Sequence, residues 1–143
     1  NKMRYFLEEG AYAPEKAHQT DAGYDLRTRK RVVLRAHDSV AIDTGVHVQL
    51  PAGTYGKMES KSGLMFKKNI VCPGGVIDCG YTGSLVVKLE NHGPYDHVFE
   101  AGDKIVQMIV QRYCDDLSLE LVPDLDSLGD TERGSNGFGS SGR

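Results

Sequence analysis

An all-β fold follows from three features of this 143-residue sequence. Val, Ile and Leu gather in many short segments whose lengths suit strands and not helices. Between them fall 17 glycines against only 5 prolines, the punctuation of a chain with many turns. No long stretch carries a 3.6-residue apolar period, and the sequence contains no internal repeat. The length corresponds to one domain, large enough to bury a core without covalent staples.

Composition narrows the function. A formal net charge of −3 argues against a general nucleic-acid coat. It leaves small phosphorylated substrates open, because a metal ion can offset their charge. Cys72, Cys79 and Cys114 are odd in number and form no CxxC pair. Neither a zinc site nor a disulfide framework is expected, which points to a reducing compartment, cytoplasmic or otherwise intracellular. No apolar run approaches the roughly 18 residues of a membrane span. No signal peptide is evident, and the first residue is Asn1, as expected if residues have been removed. His18, His37, His47, His92 and His97 show no metal-ligand spacing and read as surface or packing residues.

Residues 3–7 read as a first strand. In residues 20–26 a glycine between two acidic residues leads into Tyr24-Asp25-Leu26, which suits a bulged strand. Arg27, Arg29, Lys30 and Arg31 form a basic run, best explained as a solvated bend between strands. Residues 32–34, 40–42 and 46–50 are short strands, and Pro51-Ala52-Gly53 is a turn. A strand over residues 55–60 runs into one or two helical turns, with Ser62 as the expected N-cap and Met65 where a capping-box acid would stand. Free N–H groups at that helix start could hold a phosphate, with Lys61 and Ser62 beside them, although a capped surface helix explains the same residues.

Residues 75–83, Gly-Val-Ile-Asp-Cys-Gly-Tyr-Thr-Gly, are the centre of the pattern. A short apolar strand ends in Asp78, and a second begins at Leu85, which reads as a β-hairpin. Asp78 and Tyr81 could share one concave space, or Asp78 could cap its own turn. A strand over residues 104–110 carries one amide, Gln107, which either faces solvent on an edge or reaches a ligand. Residues 117–122 read as a last strand within an acidic segment, and Cys72, Cys114, Met58, Met65 and Met108 as buried side chains. Residues 133–143 hold four glycines and three serines, the composition of a flexible segment able to wrap phosphates or to do nothing.

Five segments taken together resemble the trimeric, all-β dUTPases. They are Ala22-Gly23-Tyr24-Asp25-Leu26; Lys61-Ser62-Gly63-Leu64; Gly75-Val76-Ile77-Asp78 with Tyr81 and Gly83; Gly102-Asp103-Lys104-Ile105 through Gln107; and Arg133-Gly134-Ser135 through Gly137-Phe138-Gly139-Ser140-Ser141-Gly142. The resemblance covers nearly the whole chain, in the family's order. It implies a distorted jelly-roll-like β-barrel over residues 1–132, with residues 133–143 as an arm closing over an active site. It also implies a homotrimer with shared active sites and Mg²⁺-dependent hydrolysis of dUTP to dUMP and pyrophosphate, without a nucleic-acid or membrane partner.

The same resemblance assigns the site residues. Asp78 would activate the attacking water. Tyr81 would pack on the deoxyribose, and the backbone at Gly75, Val76 and Ile77 would read uracil. Lys61, Ser62, Gly63 and Gln107 would meet the phosphates. Phe138 would stack on the base, while Arg133, Gly139, Ser140 and Ser141 would close over the γ-phosphate. Asp25 would face the metal's water shell or hold the segment containing Lys61, with Mg²⁺ held mainly by phosphate oxygens.

Three departures are visible: Lys61 stands where the family usually has arginine, Asn136 replaces a tail glycine, and Cys79 follows Asp78 at a variable position. The alternatives are a dCTP deaminase of the same fold, a family member with an added protein-binding or regulatory role, and a structural jelly roll. Deaminases need a glutamate where this chain has Lys88.

Overall fold

The computed structural model describes residues 2–137. Eleven strands and one short helix follow in order: β1 (Arg4–Leu7), β2 (Gly23–Arg27), β3 (Val32–Leu34), β4 (Ser39–Asp43), β5 (Val46–Gln49), β6 (Thr54–Glu59), α1 (Ser62–Lys68), β7 (Ile70–Val71), β8 (Val76–Ile77), β9 (Val86–Asn91), β10 (His97–Phe99) and β11 (Lys104–Arg112). A 3₁₀ turn spans Leu125–Leu128. The strands form four antiparallel sheets in the orders β1-β5, β10-β3, β2-β11-β6-β8 and β4-β9-β7. They surround one apolar core as a jelly-roll-like barrel that does not close.

Alternation along the strands builds that core. Val46 and Val48 point inward from β5 while His47 and Gln49 point out. On β9, Val87 and Leu89 are buried between exposed Val86 and Lys88. These side chains meet Leu26, Leu34, Met58, Ile105, Met108 and Phe99. Truncating a fully buried ring such as Phe99 to alanine costs about 3–5 kcal/mol in a core of this kind. The buried polar groups are matched. Thr44 Oγ1 donates to Leu85 O at 2.7 Å and accepts from Val46 N. Asn91 Nδ2 donates to Leu34 O and Tyr95 O, and its Oδ1 accepts from Gly93 N.

Four expectations need correction. Residues 75–90 are not a hairpin: β8 pairs with β6, whereas β9 pairs with β4 and β7. The eight residues between them are too long a link for a tight turn, so the chain crosses from one sheet to another. Residues 117–122 form no strand, and Leu119 and Leu121 are wholly exposed. Cys114 and Met65 lie at the surface, just after β11 and on α1. Finally, Lys61 and not Ser62 occupies the N-cap, and its side chain makes no capping bond. Ser62 already has helical backbone, so its hydroxyl is not in the N-cap position.

Candidate active site

The segment from β8 to Ser84 builds the first half of the site. Gly74 and Gly75 have φ of 127° and 149°, backbone suited to glycine, and they swing the chain onto β6. There Gly75 O accepts from Met58 N at 2.9 Å. β8 is the outer strand of its sheet, so no further strand among the described residues covers its main chain. Tyr81 N then closes a turn onto Asp78 O at 3.0 Å. The Tyr81 hydroxyl donates to Ser84 O at 2.8 Å. Its ring folds over Gly83, where an added β-carbon would stand 2.6 Å from the ring. Val76, Ile77, Asp78, Tyr81, Ser84 and Val86 line one depression of about 160 Å³. Asp78 and Tyr81 therefore do share a concave space, although a crossover and not a hairpin puts them there.

The second half lies where β2, β6 and β11 end beside α1. Asp25 is almost fully buried, and the two oxygens of its carboxylate bind Lys61 Nζ and Lys104 Nζ, the latter at 3.2 Å. Burial pushes the Asp25 carboxyl upward, but hydrogen bonds and charge from the two lysines outweigh it and hold the group below its ordinary value. Gln107 sits on β11 between β2 and β6, opposite Asp25 and Glu59, so it is not on an edge. Its Nε2 donates to Ser60 O at 3.1 Å, just before Lys61 and Ser62. A β-bulge between Lys104 and Val106 breaks the alternation, burying both Ile105 and Val106 while leaving Gln107 on the other face. Ser62 and Gly63 open α1, and open space surrounds the position of a Gly63 β-carbon.

These halves remain distinct. The depression at Asp78 is lined by none of Asp25, Lys61, Ser62 or Gln107. Arg133 is exposed and donates from Nε to Asn136 O at 2.7 Å, within its own turn. Phe138, Gly139, Ser140 and Ser141 lie outside the described residues.

Mg²⁺ finds no ready cage among the described residues. Among the described residues no three His, Cys, Asp or Glu side chains converge as metal ligands. Asp25, the expected carboxylate, already binds two ammonium groups. The described residues thus do not fit a directly bound ion.

Sequence reading missed several neighbours of the site. Lys104 is the second cation on Asp25. His47 and Asp43 hold the loop at Tyr81–Ser84, with His47 Nδ1 2.7 Å from Thr82 O and Ser84 Oγ bonded to Asp43, and Glu8 and Arg29 back them from behind. The alternation of β5 does place His47 outward, but only the pairing of distant strands brings it to residue 82.

Known proteins agree with this architecture. The sequence model of the dUTPase family matches residues 9–142. A deoxyuridine 5'-triphosphate nucleotidohydrolase from Nocardia farcinica is 40% identical over 141 residues, covering 95% of this chain and 82% of the relative. A variant of the Staphylococcus bacteriophage 80alpha dUTPase with dUpNHpp superposes with a TM-score of 0.89 at 29% identity, covering 100% of this chain and 99% of that one. A mutant of the dUTPase from phage phi11 of S. aureus, described with a structural Mg(II) ion, superposes with a TM-score of 0.81 at 28% identity, covering 88% of this chain and 99% of that one. With a family match across almost its whole length, this chain belongs to the dUTPase family.

Proposed function

We propose that this chain hydrolyses dUTP to dUMP and pyrophosphate, with Asp78 as the base. The observation that carries this reading is the single depression shared by Asp78 and Tyr81 beside an uncovered strand. Asp78 accepts a proton from a water as the water oxygen bonds to the α-phosphorus. The bond from that phosphorus to the α–β bridging oxygen breaks, and pyrophosphate leaves with the electron pair. Tyr81 packs on the deoxyribose, and the outer main chain at Gly75, Val76 and Ile77 reads the uracil edge. Lys61, Ser62, Gly63 and Gln107 meet the phosphates, with Asp25 holding Lys61 in place. Mg²⁺ travels with the triphosphate as part of the substrate.

A homotrimer with shared sites completes the arrangement. A depression of about 160 Å³ is smaller than the roughly 300–1,000 Å³ typical of ligand pockets. Its remaining walls come from neighbouring subunits, with residues 133–143 as the closing arm on the body formed by residues 1–132. Arg133, Phe138, Gly139, Ser140 and Ser141 act from that arm. The exposed side chains of Leu117, Leu119, Leu121, Leu125 and Leu128 support this assembly, since so much apolar surface along one stretch of chain needs a cover. Three unpaired cysteines suit an intracellular, reducing compartment, and among the described residues no helix is long and apolar enough to cross a membrane.

Position 88 argues against deamination. Lys88 is exposed on β9 and offers an ammonium where a deaminase would need a carboxylate. A pyrophosphate-release assay with dUTP, dCTP, dTTP and UTP tests the proposal. Turnover of dUTP alone is expected; ammonia release from dCTP would overturn it.

A further inference from the structure

The loop from Tyr81 to Ser84 is pinned from below by side chains outside the five segments. His47 projects from β5 with Nδ1 2.7 Å from Thr82 O and Nε2 2.7 Å from Glu8 Oε2. A carbonyl oxygen only accepts, and an ionised carboxylate only accepts. Both ring nitrogens must therefore donate, and only the imidazolium has two N–H groups. We propose that charged His47 is a positioning residue, holding the Tyr81–Ser84 loop in its nucleoside-binding form and releasing it on deprotonation. This rests on the reading of that loop as the nucleoside pocket.

The surroundings are built for a cation. Glu8 follows β1, Asp43 ends β4, and Arg29 comes from the bend between β2 and β3. Arg29 reaches Glu8 at 3.5 Å and Asp43 at 3.6 Å, tying the two carboxylates together. It fits because Gly45 has no side chain: a β-carbon there would lie 2.7 Å from Arg29 Nη1. Asp43 takes the Ser84 hydroxyl and Gly45 N, giving the loop a second anchor two residues beyond Thr82. Phe6 meets the His47 ring edge-on at 5.7 Å, and Arg4 and Tyr5 line the same open cleft. Arg4 is turned to Gln49, bonding Oε1 at 2.9 Å.

The charges agree in sign. The Thr82 carbonyl, followed by Glu8 and Asp43, holds the His47 imidazolium above its usual range, while partial burial opposes them. The His47 bond holds Glu8 below the usual carboxylate range, with burial opposing and Arg29 assisting. A group whose folded value is raised contributes most below its unfolded value and loses that contribution as pH rises through the folded one. Loop anchoring by His47 is therefore fully present below the ordinary imidazole value and is lost as pH rises through the raised folded one.

Two measurements on the full chain test this. Nitrogen-15 NMR of the imidazole should show both His47 nitrogens protonated at neutral pH; a neutral tautomer would overturn the proposal. Steady-state kinetics with dUTP should show KM rising roughly tenfold as His47 deprotonates, with kcat little changed, as for the loss of one charge-assisted hydrogen bond. His47→Leu should have the high KM at every pH, and His47→Arg, charged throughout, should keep a low KM with no alkaline rise. An alkaline rise that persists in His47→Leu would overturn the proposal. Should both variants fail to fold, the wild-type NMR titration set against the wild-type KM curve decides, since the two must share one midpoint. Complete absence of dUTP turnover by the wild type would instead overturn the function, while the NMR signals still report the charge of His47.

Discussion

Tyr81 lies across Gly83: a β-carbon at Gly83 would overlap the Tyr81 hydroxyl oxygen and stand 2.6 Å from Cζ. The ring holds this pose through its bond to Ser84 O. Gly83 is not required for its backbone, since its φ is not positive; it is required for the space. Gly83→Ala should therefore expel the ring without unfolding the chain. We expect KM for dUTP to rise by about tenfold, with stability within about 0.5 kcal/mol of wild type. Thermal melts and steady-state kinetics check both parts.

Asp78→Asn keeps the shape of the depression and removes the proton acceptor. Turnover should fall by about 10²–10⁴-fold, the usual worth of a general base, with affinity for a non-hydrolysable dUTP analogue retained. Single-turnover kinetics beside calorimetric binding separate the two. Unchanged turnover would sink the assignment of the base.

Asp25 is a buried carboxylate facing two ammonium groups, both of which reach solvent. Removing its charge as Asp25→Asn should cost about 2 kcal/mol at pH 7, less than a wholly buried pair because water partly compensates the lysines. Its folded value is lowered, so its contribution is present above the unfolded value and is lost as pH falls through the folded one. The stability difference between wild type and Asp25→Asn should hence shrink below about pH 4. Denaturant melts from pH 7 to pH 3 measure this.

Lys61 is paired with the same carboxylate, and arginine would keep that pair while adding a planar fork for phosphate. Lys61→Arg should retain or improve kcat/KM for dUTP. A large loss would show that lysine is used there in another way.

Leu119 and Leu121 expose almost their whole surface on an extended segment. The proposed trimer would cover them with a neighbouring subunit, so Leu119→Asp with Leu121→Asp should shift sedimentation from trimer towards monomer and lower activity with it. A trimer unaffected by both changes would mean that this segment does not hold the subunits together.

Much of the strand pattern was legible because alternation and turn residues act locally. Strands β3 to β6 lie within one or two residues of where the sequence places them, and β2 starts three residues later than expected. The errors share a cause. Residues 75–90 look like a hairpin to any local rule, yet β8 and β9 find different partners. The alternating leucines of residues 117–122 satisfy the strand pattern, but no strand of the same chain pairs with them among the described residues.

By itself the sequence determined the all-β class, the family, and the residue types able to bind a nucleotide and activate a water. It could do so because apolar alternation, glycine turns and motif order are written along the chain. Tertiary structure alone decided which strands pair, and with them the partners of each charge. It set Lys104 beside Lys61 on Asp25, laid Gln107 against Ser60, and brought His47 under Thr82, 35 positions away. Such contacts depend on strand order and register, which balance pairing and burial over the whole core, and no window of residues contains that balance.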